Sequence, residues 1–474
     1  MAVPDETAAD RARRRPWRWL IPLVVVVAAL AVGGDYLAVR LSSGDGPPTG
    51  GLSSLWTDGH AGQGCGDLAA ENTPWIAGGL AVACSGSGLA AVHLGTGSVA
   101  WTWKPPPVPS GIPAVLQLST GASGGGVDDG VGVVEYTYGQ GTKYVVGLRL
   151  SDGHVLWQLP MALQSSDTSA LWVGGGRLAL TVGPSDSSSG DIDVFDLATG
   201  APAWSVAAAS LAPSGCTAEN ATILGPSVYA VVFCNESTGP TGDQLYRLSL
   251  QTGAVSEEAP LQDTSCQLAD GGPTIWAVPG YVLTACDSNG GPDMLIIPAG
   301  GVRQRSMQYT VKYADDSVQT TIGPPDIVAS GDSLYVDEDV NLPHDQEITQ
   351  IAAIDLATAT VRWEQTVSMP DESSDSSSYP VNLLGADADG VFDLMENING
   401  GENTARVTLA MLAASNGALS YGPGTVIDIG HGSQPTFMLA GHTLLAMPQC
   451  SEAICTGAAA FGPLTAYGTG SWPS

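Results

Sequence analysis

The sequence predicts an all-β ring of stacked four-stranded blades, a β-propeller, and three observations predict it. The first is a phrase that keeps returning: an apolar run, a polar pair, Thr-Gly or Asp-Gly, three residues, then Trp. It reads AVHLGTGSVAW at Ala91–Trp101, GLRLSDGHVLW at Gly147–Trp157, VFDLATGAPAW at Val194–Trp204 and AIDLATATVRW at Ala353–Trp363, with decayed copies at Arg247–Glu257 and Met411–Tyr421. The second is its period. The turns fall at Gly97, Gly153, Gly200, Gly253, near Gly301, at Ala359 and at Gly417, a mean spacing of about 53 residues, which suits one blade plus a loop. The third is a second strand pair upstream of most turns, each with a Gly-bearing turn between two apolar arms: Trp75–Cys84, Ala170–Val182, Thr274–Cys286 and Phe437–Met447.

Within the phrase each residue type has a reason. Alternating apolar positions such as Val194 and Leu197 mark a strand with a buried face. Thr-Gly reverses the chain because Gly accepts positive φ without steric cost. Asp196 and Asp355, just before the turn, are placed to accept hydrogen bonds from backbone N–H groups ahead of them. Trp101, Trp157, Trp204 and Trp363, four residues past the turn position, suit a wedge between stacked sheets, with an indole N–H free to find a partner. At this period residues 52–474 hold about eight blades, with seven as the alternative count. The last unit starts at Phe437 and lacks an outer strand. Leu52–Trp56 is the expected filler, and the run ending in Trp472 is the other candidate. Closing a ring with strands from both ends removes its exposed edges.

Ahead of the ring, residues 19–39 are mostly apolar with Asp35 the single charge, long enough for one membrane-spanning helix. Arg11, Arg13, Arg14, Arg15 and Arg18 precede it, so residues 1–18 are expected in the cytosol and the ring outside, as a single-pass signal anchor. Cleavage near Ala31, which would release the domain, is the alternative. Residues 40–51 (with SSGDGPPTGG at 42–51) read as a linker. The chain carries 16 Lys+Arg against 47 Asp+Glu, for a net charge of −31. Six of those basic residues and four of the acidic ones lie in the first forty positions, so the remainder is more acidic still. Such a field excludes nucleic acid as a partner.

The phrase resembles the repeat of the quinoprotein-type (PQQ-like) eight-bladed propellers, A-L-D-x-x-T-G-x-x-x-W, here in a membrane-anchored, bacterial form. VFDLATGAPAW and AIDLATATVRW are the nearest copies, the second with Ala359 for Gly. His93, Arg149, Ser249 and Ala413 stand at the Asp position of other copies, and Glu257 and Tyr421 at the Trp position. The resemblance spans most of residues 52–474. It implies the propeller fold and a choice of roles: dehydrogenase, envelope assembly scaffold or sensor. A dehydrogenase of that type implies an adjacent Cys-Cys pair, a calcium held by carboxylate and amide, and a catalytic Asp. This chain has no Cys-Cys and only Lys104, Lys143 and Lys312 as lysines.

Other chemistry is sparse. Gly121–Gly125 matches G-x-S-x-G, but a turn and a strand follow where a nucleophile elbow needs a helix. His60, His93, His154, His344, His431 and His442 are scattered and make no local ligand pair. Asp191/Asp193, Asp337-Glu338-Asp339 and Asp387/Asp389 group carboxylates, and Asp387–Gly390 falls at a hairpin turn. The eight cysteines all follow the apolar run, which fits disulfides in an exported domain. Cys65 and Cys84, Cys216 and Cys234, and Cys266 and Cys286 are spaced alike, so the expected links join these pairs within blades, leaving Cys450 with Cys455. In each, the first Cys is expected in the loop entering a blade. The N-x-S/T sites at Asn220 and Asn235 are expected to be unused.

The reading is a monomeric, non-catalytic ring that binds a protein or an envelope polymer. No cofactor, metal or catalytic residue is assigned. Recognition is expected in Gly/Ser/Asp-rich loops such as Val108–Gly130, Ser185–Gly190 and Met369–Tyr379. A quinone- or calcium-dependent dehydrogenase is the alternative.

Overall fold

The computed structural model describes residues 52–58, 75–85, 88–107, 114–118, 126–138, 143–161, 171–182, 190–212, 216–234, 244–261, 274–288, 291–308, 327–342, 346–367, 381–398, 404–428, 433–440, 443–450 and 464–468. They form eight antiparallel sheets, which settles the blade count at eight. Blade 1 is Trp75–Ala77, Leu80–Ser85, Gly88–His93 and Val99–Trp103. Blade 3 is Leu171–Gly174, Arg177–Val182, Asp191–Asp196 and Pro202–Ala207; blade 4 is Cys216–Leu224, Ser227–Cys234, Gln244–Ser249 and Val255–Pro260. Blade 5 is Thr274–Val278, Tyr281–Ser288, Gly291–Pro298 and Arg305–Gln308; blade 6 is Ile327–Ser330, Ser333–Leu342, Gln346–Asp355 and Thr360–Val367. Blade 7 is Val381–Ala386, Gly390–Ile398, Thr404–Ala413 and Leu419–Asp428.

Blade 2 departs from the four-strand pattern. Its first strand is split into Ala114–Leu118 and Val127–Asp128, and both pieces pair with Val131–Tyr138, which continues to Lys143–Arg149 and Val155–Met161.

Blade 8 closes the ring. Ser433–Ala440, Thr443–Cys450 and Leu464–Gly468 come from the C-terminal part of the chain, and the outer strand is Ser53–Asp58. Ser53 pairs with Gly468 and Asp58 with Leu464. Trp56 pairs with Ala466 beside a bulge, the register position that Trp157 holds opposite Gly147 beside its own bulge. Residue 472 lies outside the described residues.

Each seam between blades has its own apolar core. Trp75, Leu80 and Val82 of blade 1 meet Val134, Tyr136 and Val146 of blade 2. Tyr335 and Ile351 of blade 6 meet Val391 and Met395 of blade 7. Leu394 and Leu409 of blade 7 meet Phe437 and Leu444 of blade 8, with Leu52 packed among them. Leu445 and Ala466 of blade 8 meet Ala81 and Ala83 of blade 1, completing the circle. Middle strands are therefore covered on both faces and read as unbroken apolar runs, such as Ala81–Ala83 and Ile351–Ile354. Outer strands touch solvent; Val255–Pro260, VSEEAP, is exposed along most of its length. One short helix, Ala208–Leu211, occurs among the described residues. No helix among them is long and apolar enough to cross a membrane, and residues 19–39 lie outside them.

Candidate functional site

The turn end of the ring is where the repeated phrase acts. In blade 3, Gly200 has φ +66° and its N–H donates to the Asp196 carbonyl at 2.8 Å. The Asp196 carboxylate accepts from the Thr199 N–H (3.1 Å) and hydroxyl (2.8 Å). The Thr199 hydrogen bonds hold the Asp196 carboxyl below its ordinary value, aided by Arg177 2.8 Å away. Asp355 is arranged alike: Arg362 and then the Thr358 N–H lower it. Asp152 is lowered by the His154 N–H first.

Leu197, just ahead of this turn, ties three things together. Its N–H donates to Gly176 in the first hairpin of its own blade, at 3.0 Å. Its carbonyl accepts Trp157 Nε1 from blade 2 at 2.6 Å. Its side chain is buried in the seam. The same node recurs: Trp101 donates to Leu150 (2.7 Å), Trp204 to Leu250 (2.9 Å) and Trp363 to Ala414 (3.0 Å). Each indole lies flat on the glycine of the next blade's turn. A Cβ at Gly153, Gly200, Gly253 or Gly417 would come within 2.5–2.7 Å of that ring. The glycine is thus required twice, for the left-handed turn and for the neighbour's tryptophan. In three of the four blades a small residue opposite makes room for the indole, while Trp204 faces Val194. Gly147 faces Trp157, where a Cβ would stand 2.2 Å from the ring. Ala91 faces Trp101 and Ala353 faces Trp363.

In blades 4 and 5, where Trp is missing, an arginine reaches the next blade instead. In blade 4 the register pair is Arg247 and Glu257. Arg247 binds Glu257 at 3.2 Å and donates to the Gly300 carbonyl of blade 5 at 2.8 Å. In blade 5 Arg305 occupies the Trp position and donates to the Ala357 carbonyl of blade 6. That explains Ala359, which keeps φ +56° in a turn where the other phrases have Gly. No indole presses on it, so its methyl is tolerated. The sequence signal was there in the paired departures at 305 and 359, but was legible only once the seam partners were known.

Other expected residues are placed as follows. Gly97 has φ +68° and donates to His93 at 2.8 Å. Asp387 accepts from the N–H groups of Asp389 (2.8 Å) and Gly390 (3.1 Å), a hairpin turn. Asp191 and Asp193 lie two apart on one strand face, and burial first, then Asp193, raises Asp191. Cys216 is directly opposite Cys234 and is disulfide-bonded. It opens the first strand of blade 4 instead of lying in the loop ahead of it, because that strand extends a full nine residues. Cys84, Cys286 and Cys450 lie on strands, while residues 65, 266 and 455 fall outside the described residues, as do the G-x-S-x-G stretch and the histidines at 60, 344, 431 and 442.

Sequence reasoning missed two features. Lys143 and Glu135 form a buried ion pair at 2.9 Å in blade 2. Tyr136, Tyr138, Tyr144 and Trp103 cluster at the 1–2 seam, with Tyr136 and Tyr144 stacked at 5.0 Å. Burial raises Tyr136 above its ordinary value. Arg149, Arg177, Arg247, Arg305, Arg362 and Lys143 are thus engaged in turns, seams and the buried pair.

No protein family and no curated protein matches the chain. Solved structures of similar fold do. BamB from Moraxella catarrhalis is 16% identical, with a TM-score of 0.45 over 88% of this chain and 97% of that one. The quinohemoprotein alcohol dehydrogenase ADHIIG from Pseudomonas putida is 12% identical, with a TM-score of 0.48 over 89% and 77%. A europium-containing methanol dehydrogenase is 10% identical, with a TM-score of 0.47 over 88% and 92%. These are distant likenesses of the eight-bladed propeller.

Proposed function

We propose that the ring is a non-catalytic binding or scaffold domain, held outside the cytoplasmic membrane by residues 19–39, that takes a protein or an envelope polymer as partner. One observation carries this reading: the residues that the repeat keeps are used to join one blade to the next. At the turn end, hairpins are short and fixed by hydrogen bonds from Leu150, Leu197, Leu250 and Leu356 to the neighbouring turn. A ring whose repeated residues serve its own rigidity is a scaffold on which recognition is carried by other parts of the surface. The acidic net charge favours a partner that presents cationic groups.

The test uses the purified full chain in detergent. Dye reduction is assayed with alcohols and sugars after adding quinone cofactor and calcium, beside capture of partners from the native envelope. We expect background turnover and retention of a defined protein or glycan. Turnover well above background would replace this reading with the dehydrogenase one.

A further inference from the structure

Charge is spread unevenly around the ring. Residues 72–127, which include all of blade 1, hold no Asp or Glu in a chain that has 47. Residues 72–166, blades 1 and 2, hold four (Asp128, Asp129, Glu135 and Asp152) against Lys104, Lys143 and Arg149. Two of those four are paired, Glu135 with Lys143 in the interior and Asp152 with Arg149 at the turn. Residues 429–474, most of blade 8, hold one, Glu452. Residues 167–428, blades 3 to 7, hold 34 against seven Lys and Arg. The Debye length at physiological salt is about 8 Å, so a bound group feels its own sector and little of the far blades. Blade 1 is therefore the centre of a near-neutral window in an acidic ring.

The aromatic cluster at the 1–2 seam lies in this window, at the end of the sheets away from the turns. Trp103 ends the outer strand of blade 1, and Tyr138 ends a strand of blade 2. Tyr136 and Tyr144 are stacked, 17° from parallel. Tyr136 is 2% exposed, whereas Tyr144, Tyr138 and Trp103 are half-buried. One face of Tyr144 is taken by Tyr136, which leaves its exposure to the other face and the edge. Tyr138 stands edge-on to both rings and is fixed by its hydroxyl, which donates to the Pro106 carbonyl. Rigid aromatic rings among few charges present a large contact area at low entropic cost. Lys104, next after Trp103, is exposed and makes no ion pair among the described residues.

We propose that this end of the 1–2 seam binds a glycan whose sugars carry carboxylates. The proposal rests on the reading of the ring as a binding domain for an envelope polymer, and it names the polymer's class and its seat. The C–H groups of a sugar ring lie against the negative face of Tyr144, beside Trp103 and Tyr138. Lys104 pairs with a carboxylate of a neighbouring sugar. The acidic field that favours cationic groups elsewhere on the ring repels such a chain from blades 3 to 7, so the window directs it to this seam.

The test titrates the full chain in detergent with a galacturonic acid hexasaccharide, followed by calorimetry, and with neutral maltohexaose beside it. The variants are Lys104→Glu, Tyr144→Ala and, on blade 7 outside the window, Arg406→Glu. Lys104 and Arg406 are both exposed, so these two variants keep the fold whatever becomes of Tyr144→Ala. We expect saturable binding of the acidic hexasaccharide, weakened about tenfold or more by Lys104→Glu and by Tyr144→Ala and unchanged by Arg406→Glu. Maltohexaose is expected to bind far more weakly. No saturable binding, equal affinity for maltohexaose, or equal losses in Lys104→Glu and Arg406→Glu would overturn the proposal. So would a protein captured from the native envelope whose retention is lost with Lys104→Glu while the hexasaccharide fails to bind, which would give the window to a protein. An envelope partner retained equally by the unaltered chain and both window variants would overturn the glycan seat and leave the binding-domain reading standing. Cofactor-dependent turnover would remove that reading and the glycan seat with it.

Discussion

A chain that begins at position 59 is expected to lose the closed monomeric ring. The truncation removes Ser53–Asp58, and with it five register pairs to Leu464–Gly468. It also removes Leu52 from the core between blades 7 and 8. Burying one leucine stabilises by roughly 1.5–3 kcal/mol, and each strand hydrogen bond adds about 0.5–1.5 kcal/mol. The sum is comparable with the whole stability of a typical domain, about 5–15 kcal/mol. The strand Leu464–Gly468 then becomes an open edge able to pair with another chain. Urea unfolding and size-exclusion chromatography check this against a chain that begins at Gly51. A monomeric product with an unchanged urea midpoint would show that the ring does not depend on this strand.

The second large effect concerns the blade seams, where glycine is favoured over alanine at the turn in two blades but by different amounts. Gly200→Ala is expected to destabilise by roughly 2–4 kcal/mol, because φ +66° strains any side chain and the new Cβ meets the Trp157 ring at 2.6 Å. The penalty should shrink in the Trp157→Ala background, where only the backbone strain remains. Trp157→Ala by itself is expected to cost about 3–5 kcal/mol. Ala359→Gly is the reverse case. It relieves a left-handed alanine with no indole above it, and is expected to stabilise by about 0.5–1 kcal/mol after the entropy of glycine is subtracted. Arg305→Trp should then be tolerated better beside Gly at 359 than beside Ala. Urea midpoints of the single and double variants give the coupling. Equal costs of Gly200→Ala with and without Trp157 would remove the docking of indole on glycine from the account.

Much of this architecture was legible because a repeat states the same physics many times. The turn glycines, Asp196, Asp355 and the four tryptophans stand out as positions whose spacing is fixed by one sheet. The closing strand was legible as a residue pattern missing at one end of the chain and present at the other. What the sequence did not reveal lies between blades. Arg247 and Arg305 look like ordinary surface cations until the next blade's carbonyls are beside them. Glu135 and Lys143 sit on adjacent strands of valines and tyrosines, and nothing local says that their charges meet in the interior. The pairing of both Ala114–Leu118 and Val127–Asp128 with Val131–Tyr138 was hidden because both pieces fall inside one Gly/Ser-rich part of the sequence. Partner identity is harder still, since it rests on surface chemistry that no repeat enforces.

The central claim is that the N-terminal strand closes blade 8 and fixes where the chain meets the ring. Amide hydrogen exchange of residues 52–58 in the full chain tests it most directly. Leu52 N–H and the inward-facing amides of Ser53–Asp58 are expected to exchange as slowly as those of Leu464–Gly468 and to open only with the ring as a whole. Rapid exchange throughout residues 52–58, beside a protected Leu464–Gly468, would contradict the closed ring.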